Sequence, residues 1–315
     1  MTRRILLVAH PRRIEAQQFA GDVADQLHAA GLQVALLPDA AEATILGGSP
    51  NTVTVDPTDP ARGCELVCVL GGDGAILRGA ALSRGTEAPL LGINLGHVGF
   101  LAEAEREKLV ETVERIVARD YVVEERMTLE VTASFDGQVI ARSWALNEVT
   151  VEKAARERML EVTTEIDGRP LSTFGCDGVV MATPTGSTAY AFSAGGPVIW
   201  PGVEALLVVP ISAHALFARP LVVGPNSALA IELFADNDSS AVMWCDGSRR
   251  VDLPSGARID VRRGDTPVRL ARLSSWPFAD RLVAKFDLSV TGWRGRHGAF
   301  EPVRASLTNL DSSGP

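Results

Sequence analysis

Along residues 1–124, short apolar runs alternate with stretches whose apolar positions return every three or four residues. Runs at 5–9, 32–37, 66–70 and 89–94 predict strands. Residues 12–30, the stretch after Gly74 (Ile76, Leu77, Ala80, Leu82) and residues 103–119 predict helices. Such alternation predicts an α/β domain over 1–124, with a parallel sheet joined by right-handed crossovers. Residues 38–63 read as a long connection without regular elements, broken by Gly47, Gly48, Pro50, Pro57 and Pro60. Beyond Tyr121 the texture changes. Segments 127–133, 138–144, 147–151, 160–166, 179–182, 203–210, 221–223, 228–234, 241–244 and 257–262 alternate or run apolar like strands. Asp136-Gly137, Asp167-Gly168 and Asp246-Gly247 are hairpin signals among them. Residues 125–272 are therefore expected to form an all-β C-terminal domain. Residues 273–293, with a short helix at 280–286, are expected to pack back on the first domain, and the polar tail 294–315 to be disordered.

Composition narrows the function class. A chain of 315 residues suits two domains, and 46% hydrophobic content fills a core in each. Its net charge of −9 argues against nucleic acid or an anionic membrane as the main partner. No apolar run approaches the roughly 20 residues of a membrane span, and the run after Arg3-Arg4 is too short for a signal peptide. A cytoplasmic location is the resulting expectation. Cys64, Cys68, Cys176 and Cys245 include no Cys-x-x-Cys pair and read as small core residues. His10, His28, His97, His214 and His297 are scattered without metal-ligand spacing, so no metal ligand is named.

Two glycine-rich stretches carry the candidate chemistry. Gly71-Gly72-Asp73-Gly74 stands between the strand 66–70 and the following helix, at the carboxyl edge where open α/β sheets bind ligands. Its glycines let the backbone approach a ligand, and the helix start offers N–H groups to an anion. Asp73 is the odd residue there. A carboxylate in that place either caps the helix, shares a metal with the anion or removes a proton. Standard fingerprints do not fit: Leu77 stands where a dinucleotide motif needs its third glycine, and Lys108, Lys153 and Lys285 all lie outside glycine-rich turns. Asn94 to Phe100, with Gly96 and Gly99, ends a neighbouring strand and lines the same cleft or forms a plain turn.

The second stretch, from Gly175 to Pro197, contains Thr183-Pro184-Thr185-Gly186-Ser187-Thr188-Ala189, rich in hydroxyls and small residues. That density of donors suits a nucleotide or phosphate cradle better than an ordinary turn. Upstream, Asn147-Glu148 interrupts an apolar strand. Asn supplies a donor and an acceptor, and Glu accepts from paired hydroxyls such as those of a ribose.

Taken together, these stretches, with Leu77-Arg78, Gly99-Phe100-Leu101, Tyr190 and Ser193 to Pro197, resemble the NAD kinases in order and spacing across residues 1–293. Ala75 departs from the family's usual threonine and Gly79 from its usual alanine. The resemblance implies phosphoryl transfer from ATP, or from inorganic polyphosphate, to the 2′-hydroxyl of the adenosine ribose of NAD. It implies Asp73 as general base, with Gly71, Gly72, Gly74, Arg78 and Mg²⁺ or another divalent cation at the phosphates. It places Asn147, Glu148, Thr188, Tyr190 and Ser193 on the adenosine half, with Ala189, Ala191 and Phe192 in the same run, and Asp177 with Arg158 on the remainder of the dinucleotide. It also implies a homodimer or homotetramer, because family sites are completed across a subunit interface. Two alternatives stand beside it: a diacylglycerol-type lipid kinase, which shares the Gly-Gly-Asp-Gly turn, and a dinucleotide sensor without catalysis.

Overall fold

Strand Leu66–Leu70 (β4) is buried along its whole length, as a parallel strand covered on both faces must be. The structure, a computed structural model, describes residues 2–9, 14–39, 51–95, 99–102, 104–105, 108–155, 158–235, 240–273 and 277–290. Around β4 run β1 (Arg4–Ala9), β2 (Gln33–Leu36), β3 (Thr52–Thr54) and β5 (Leu90–Asn94), all parallel, with the short β6 (Ala104–Glu105) beside β5. Helices α1 (Ile14–Ala29) and α3 (Leu109–Ala118) put Phe19, Val23, Leu27, Val113 and Ile116 into the core on one face. Helix α2 (Asp73–Ser83) puts Ile76 and Ala80 on the other. The expected α/β domain with a parallel sheet is present.

The all-β part is a sandwich of two antiparallel six-stranded sheets. One has the order β15 (Leu221–Val223), β14 (Leu206–Ile211), β13 (Gly178–Ala182), β10 (Glu148–Lys153), β17 (Ala241–Cys245), β18 (Arg249–Leu253). The other has the order β12 (Arg169–Cys176), β11 (Leu160–Ile166), β16 (Leu229–Leu233), β19 (Arg258–Arg263), β8 (Leu129–Phe135), β9 (Gln138–Ala145). Val149, Val151, Val179 and Met181 of the first meet Leu129, Val162, Ile231 and Ile259 of the second in one core. On β10 the alternation therefore turns Glu148, Thr150 and Glu152 to the opposite, outer face.

Several expectations are corrected. The boundary 125–272 is too wide, because β7 (Val122–Arg126) and β20 (Val268–Arg272) belong to the α/β sheet, β20 lying parallel to β5 and antiparallel to β7. An apolar run shows that a strand exists but not which sheet takes it. Thr52–Thr54 is a strand inside the connection read as element-free, and the second members of two hairpins, β12 and β18, were hidden by polar residues on their outer faces. The helix expected over 103–119 starts only at Leu109. Phe278–Phe286 forms the helix α5 in a second unit that begins at Trp276. The breakers Gly47, Gly48 and Pro50, loop residues Gly96 to Val98, His10, His297 and the tail 294–315 lie outside the described residues. Cys68, Cys176 and Cys245 are buried and free, in keeping with a core role, and burial pushes the Cys68 thiol up to about 12. Among the described residues no helix is long and apolar enough to cross a membrane.

Close approach of α2 to the sheet positions the first candidate motif. A Cβ on Gly92 of β5 would lie 2.4 Å from Cδ1 of Ile76, and one on Gly79 would lie 2.4 Å from Cγ2 of Val69. Gly21, inside α1, has nothing within 4 Å of its Cβ position. Gly92→Ala is therefore expected to cost about 1–3 kcal/mol of overpacking, whereas Gly21→Ala should add up to about 1 kcal/mol of helix propensity. Urea unfolding of the two variants checks the opposite signs.

Candidate active site

At the carboxyl end of β4 the chain turns through Gly71, whose φ of 150° and proximity to Ala75 leave no place for a side chain. Gly72 is the N-cap residue of α2, and no side chain caps that helix. Asp73 is not the cap. It is the first residue of α2, and its carboxylate reaches across to the loop after β5, accepting from the amides of Leu101 at 3.2 Å and Phe100 at 3.4 Å. A Cβ on Gly99 would sit 2.4 Å from Oδ1 of Asp73. The two glycine-bearing strand ends thus form one cleft, with Gly99 giving the carboxylate its room. Cβ positions at Gly72 and Gly74 meet nothing within 4 Å, so that side of the turn is open to approach. Arg78 lies one turn into α2 and is exposed.

The second cluster forms where β10 begins. Leu146 is buried in the same apolar cluster as Ile76 and Leu101, tying this strand end to the Asp73 cleft. Asn147 and Glu148 follow at once, each 7% exposed. The Thr183 turn clamps them on one side. Thr183 Oγ1 donates to the Leu146 carbonyl at 2.6 Å and accepts the Gly186 amide at 3.1 Å, while its own amide donates to the Asn147 carbonyl at 2.9 Å. Gly186 lies so close that a Cβ would fall 2.0 Å from the Asn147 carbonyl oxygen. Ser187 ties the turn down, donating to the Pro184 carbonyl and accepting the Ile199 amide. The expected cradle and the expected Asn-Glu pair are thus interlocked.

On the other side stands Asp246, whose amide donates to the Glu148 carbonyl and whose carboxylate accepts the amides of Leu146 at 2.9 Å and Asn147 at 2.7 Å. Sequence reasoning took Asp246-Gly247 as a hairpin signal only. The turn signal was right, but nothing in the chain marks the carboxylate as bound a hundred residues upstream. After these restraints Oδ1 of Asn147 and Oε2 of Glu148 remain buried with no hydrogen-bond partner among the described residues. Burial first, and then the Asp246 charge, push the Glu148 carboxyl up to about 8, against a lowering contribution from the Tyr190 amide. Orphaned buried acceptors at a cleft are unusual and mark a place where a ligand's donors belong.

The remaining candidates follow the outer face of the sheet. Thr188 donates to the Thr185 carbonyl in a 3₁₀ turn, and Tyr190–Ser193 form a single helical turn, α4, with Ala191 buried and Tyr190, Phe192 and Ser193 exposed. Ala189 precedes that turn. The Tyr190 phenol is held above its ordinary value by burial, then by the charges of Glu152, Asp177 and Glu148. Asp177 sits at the opposite end of β13 from Thr183, roughly 20 Å along the strand at about 3.4 Å per residue. It pairs with Lys153 at 2.5 Å, which together with Ser212 and His214 holds its carboxyl below the usual range. Lys153 was not among the candidates. Arg158 is exposed in the connection before β11. Asp177 and Arg158 are therefore not gathered with Asn147 and Glu148 at one strand end.

Among the described residues no three or more His, Cys, Asp or Glu side chains cluster as a metal-holding group.

Comparison with known proteins bears on this arrangement. Residues 5–121 match the ATP-NAD kinase N-terminal domain and residues 146–273 the ATP-NAD kinase C-terminal domain. An NAD kinase of Leifsonia xyli subsp. xyli is 59% identical over 299 residues, covering 94% of this chain and 98% of that protein. One of Thermobifida fusca is 58% identical over 301 residues, covering 93% and 92%. Among solved structures, yeast NADH kinase complexed with NADH is similar with a TM-score of 0.83 at 24% identity, covering 92% of this chain and 89% of that one. An NAD kinase from Archaeoglobus fulgidus in complex with ATP has a TM-score of 0.67 at 24% identity, covering 91% and 99%. These two likenesses establish the shared fold.

The raised Glu148 carboxyl sets a pH dependence of stability. Its folded value of about 8 lies above the ordinary 4.5, so the ligand-free folded state binds the extra proton. That contribution is full below pH 4.5 and is lost as pH rises through about 8. Glu148→Gln, which cannot ionise, should melt higher than the wild type at pH 8–9 and match it near pH 4. Thermal melts of the ligand-free proteins across that range check the crossover.

Proposed function

The chain belongs to the NAD kinase family, enzymes that phosphorylate NAD, and we propose that it transfers the terminal phosphoryl group of ATP to the 2′-hydroxyl of the adenosine ribose. The observation that carries this reading is the pair of buried, unpartnered acceptors on Asn147 and Glu148, set beside a glycine turn that presents Asp73. A ribose offers adjacent hydroxyl donors to a carboxylate, and adenine offers both donors and acceptors to an amide. The lipid kinase and sensor alternatives give way, since both halves of the chain match ATP-NAD kinase domains and close relatives are NAD kinases.

In this reading Asp73 takes the proton of the 2′-hydroxyl as that oxygen attacks the terminal phosphorus. The new O–P bond forms as the bond to the ADP oxygen breaks, and NADP and ADP leave. The amides of Phe100 and Leu101 hold the Asp73 carboxylate at the cleft, which fixes the direction from which the proton is taken. Free amides at the start of α2 and the exposed Arg78 stabilise the phosphate charge. Mg²⁺ or another divalent cation would come with the donor's phosphates and would supply charge neutralisation there. Inorganic polyphosphate presents the same terminal phosphoryl group and is an alternative donor. Thr188, Ala189, Tyr190, Ala191, Phe192 and Ser193 line the adenosine side of the site. Asp177 and Arg158, a strand's length away, serve the remainder of the dinucleotide in a homo-oligomer where a second copy brings them to the cleft.

Two measurements test this. Purified protein with NAD, ATP and Mg²⁺ should form NADP, and Asp73→Asn should lower turnover by about 10²–10⁴-fold, the usual share of a positioned base. Folding should be retained at a modest cost in stability, because the helix does not use Asp73 as its cap but Asn keeps only one acceptor for the Phe100 and Leu101 amides. Near-normal turnover in Asp73→Asn, or its recovery with added Mg²⁺, would remove the base assignment. Light scattering should return a mass above the 33.5 kDa of one chain; a monomer at working concentration would remove the shared-site reading.

A further inference from the structure

The side chain of Asp246 has no solvent exposure, yet it belongs to neither glycine-rich stretch. Its carboxylate bonds the amides of Leu146 and Asn147 and pairs with Arg249 at 2.7 Å. Arg249 in turn donates to the Trp144 carbonyl at 2.8 Å and stacks on the Trp144 ring, 4.5 Å from its centre. Arg84, the residue that closes α2, covers that ring at 4.1 Å. A continuous bracket therefore runs from the end of the Asp73 helix through Trp144, Arg249 and Asp246 to the backbone that carries Asn147 and Glu148. For a hairpin turn alone this is too much. A turn needs Asp246 for its left-handed backbone, φ 50°, and not for two amides on a neighbouring strand.

The geometry points to Asp246, locked by Arg249 on Trp144, as a positioning residue for the acceptor dinucleotide, fixing the backbone at Leu146–Asn147 so that the side chains of Asn147 and Glu148 meet the nucleoside at a set place. This rests on the NAD kinase reading for the ligand, not for the bracket. Asp246 also acts on Glu148 through its charge. The groups facing Glu148 are Asp246 from the β17–β18 turn and Tyr190 from α4, with Glu152 and Asp177 beyond the phenol. Removing the Asp246 charge therefore lets the Glu148 carboxyl ionise at lower pH.

Asp246→Asn keeps one acceptor oxygen but turns an NH₂ toward a backbone N–H or toward Arg249, so one amide bond and the ion pair are lost. Arg249→Met keeps an apolar chain on Trp144 and removes the ion pair. NAD affinity measured by calorimetry from pH 5.5 to 9, without ATP, is the first readout. NADP formation, with separate KM values for NAD and ATP, is the second. Asp246→Asn is expected to weaken NAD affinity and kcat/KM for NAD by about 10–100-fold, the scale of a misplaced contact. KM for ATP should stay within about twofold, a loss confined to one substrate. The pH at which NAD affinity changes should move down, and Arg249→Met should lose affinity in the same direction. A lower melting temperature with unchanged NAD affinity and an unmoved pH inflection would overturn the inference and leave Asp246 a structural turn residue. If Asp246→Asn does not fold, unchanged NAD affinity in Arg249→Met overturns it equally. A wild type that binds NAD but forms no NADP would remove the kinase reading while the affinity comparison still decides this one.

Discussion

A carboxylate taken out of water must be fully paired, and the Asp246 carboxylate is paired by two amides and a guanidinium. Much of the candidate site depends on that arrangement. Because Asp246 holds the Leu146 and Asn147 amides from one side, the Thr183 turn can hold the carbonyls of the same two residues from the other. The backbone entering β10 then has its donors and acceptors satisfied by protein. What is left over is side chain: the Asn147 and Glu148 oxygens. A strand end whose main chain is so completely used can present its side chains rigidly, which is what recognition by a few polar contacts requires.

The same constraint explains why an unfavourable group persists. A carboxyl that is buried, faces another carboxylate and leaves one oxygen without a partner costs stability in the ligand-free protein, most of all at high pH. A hydroxylic ligand would satisfy it. Sites of this kind hold strain that binding relieves, so the local rule broken at Glu148 is itself a pointer to function.

How much of this was legible beforehand differs by element. Strands β4, β5 and β11 and the switch from α/β to all-β texture follow from periodicity, since burial on both faces or on one leaves a plain pattern. The sheet taken by Val122–Arg126 and Val268–Arg272 does not, because pairing across well over a hundred residues leaves no local mark. Asp73 was conspicuous as an acid among glycines, but its capping role was open until the carboxylate proved to turn toward Phe100 and Leu101. Gly99 and Gly186 stand in loops where glycine has many uses, and only the approach of Asp73 and of Asn147 shows which one applies. Asp246 was hidden most completely, because an Asp-Gly hairpin signal already accounts for the residue.

The bracket also gives the two-part architecture a mechanical sense. Phosphoryl transfer depends on in-line placement of acceptor and donor, and in the proposed reaction each would be held by a different sheet. Leu146 is buried among Ile76 and Leu101, so the acceptor strand is seated in the α/β core itself. Trp144, two residues earlier, is gripped by Arg84 from the α/β part and by Arg249 from the sandwich. Two like charges on one ring would repel in isolation. Glu130 and Asp246 offset that repulsion at Arg84, where burial still lowers the guanidinium below its ordinary value. Apolar seating sets where β10 enters, and the charged stack keeps it from sliding, so the separation between Asp73 and Glu148 is carried by packed side chains and not by a flexible loop.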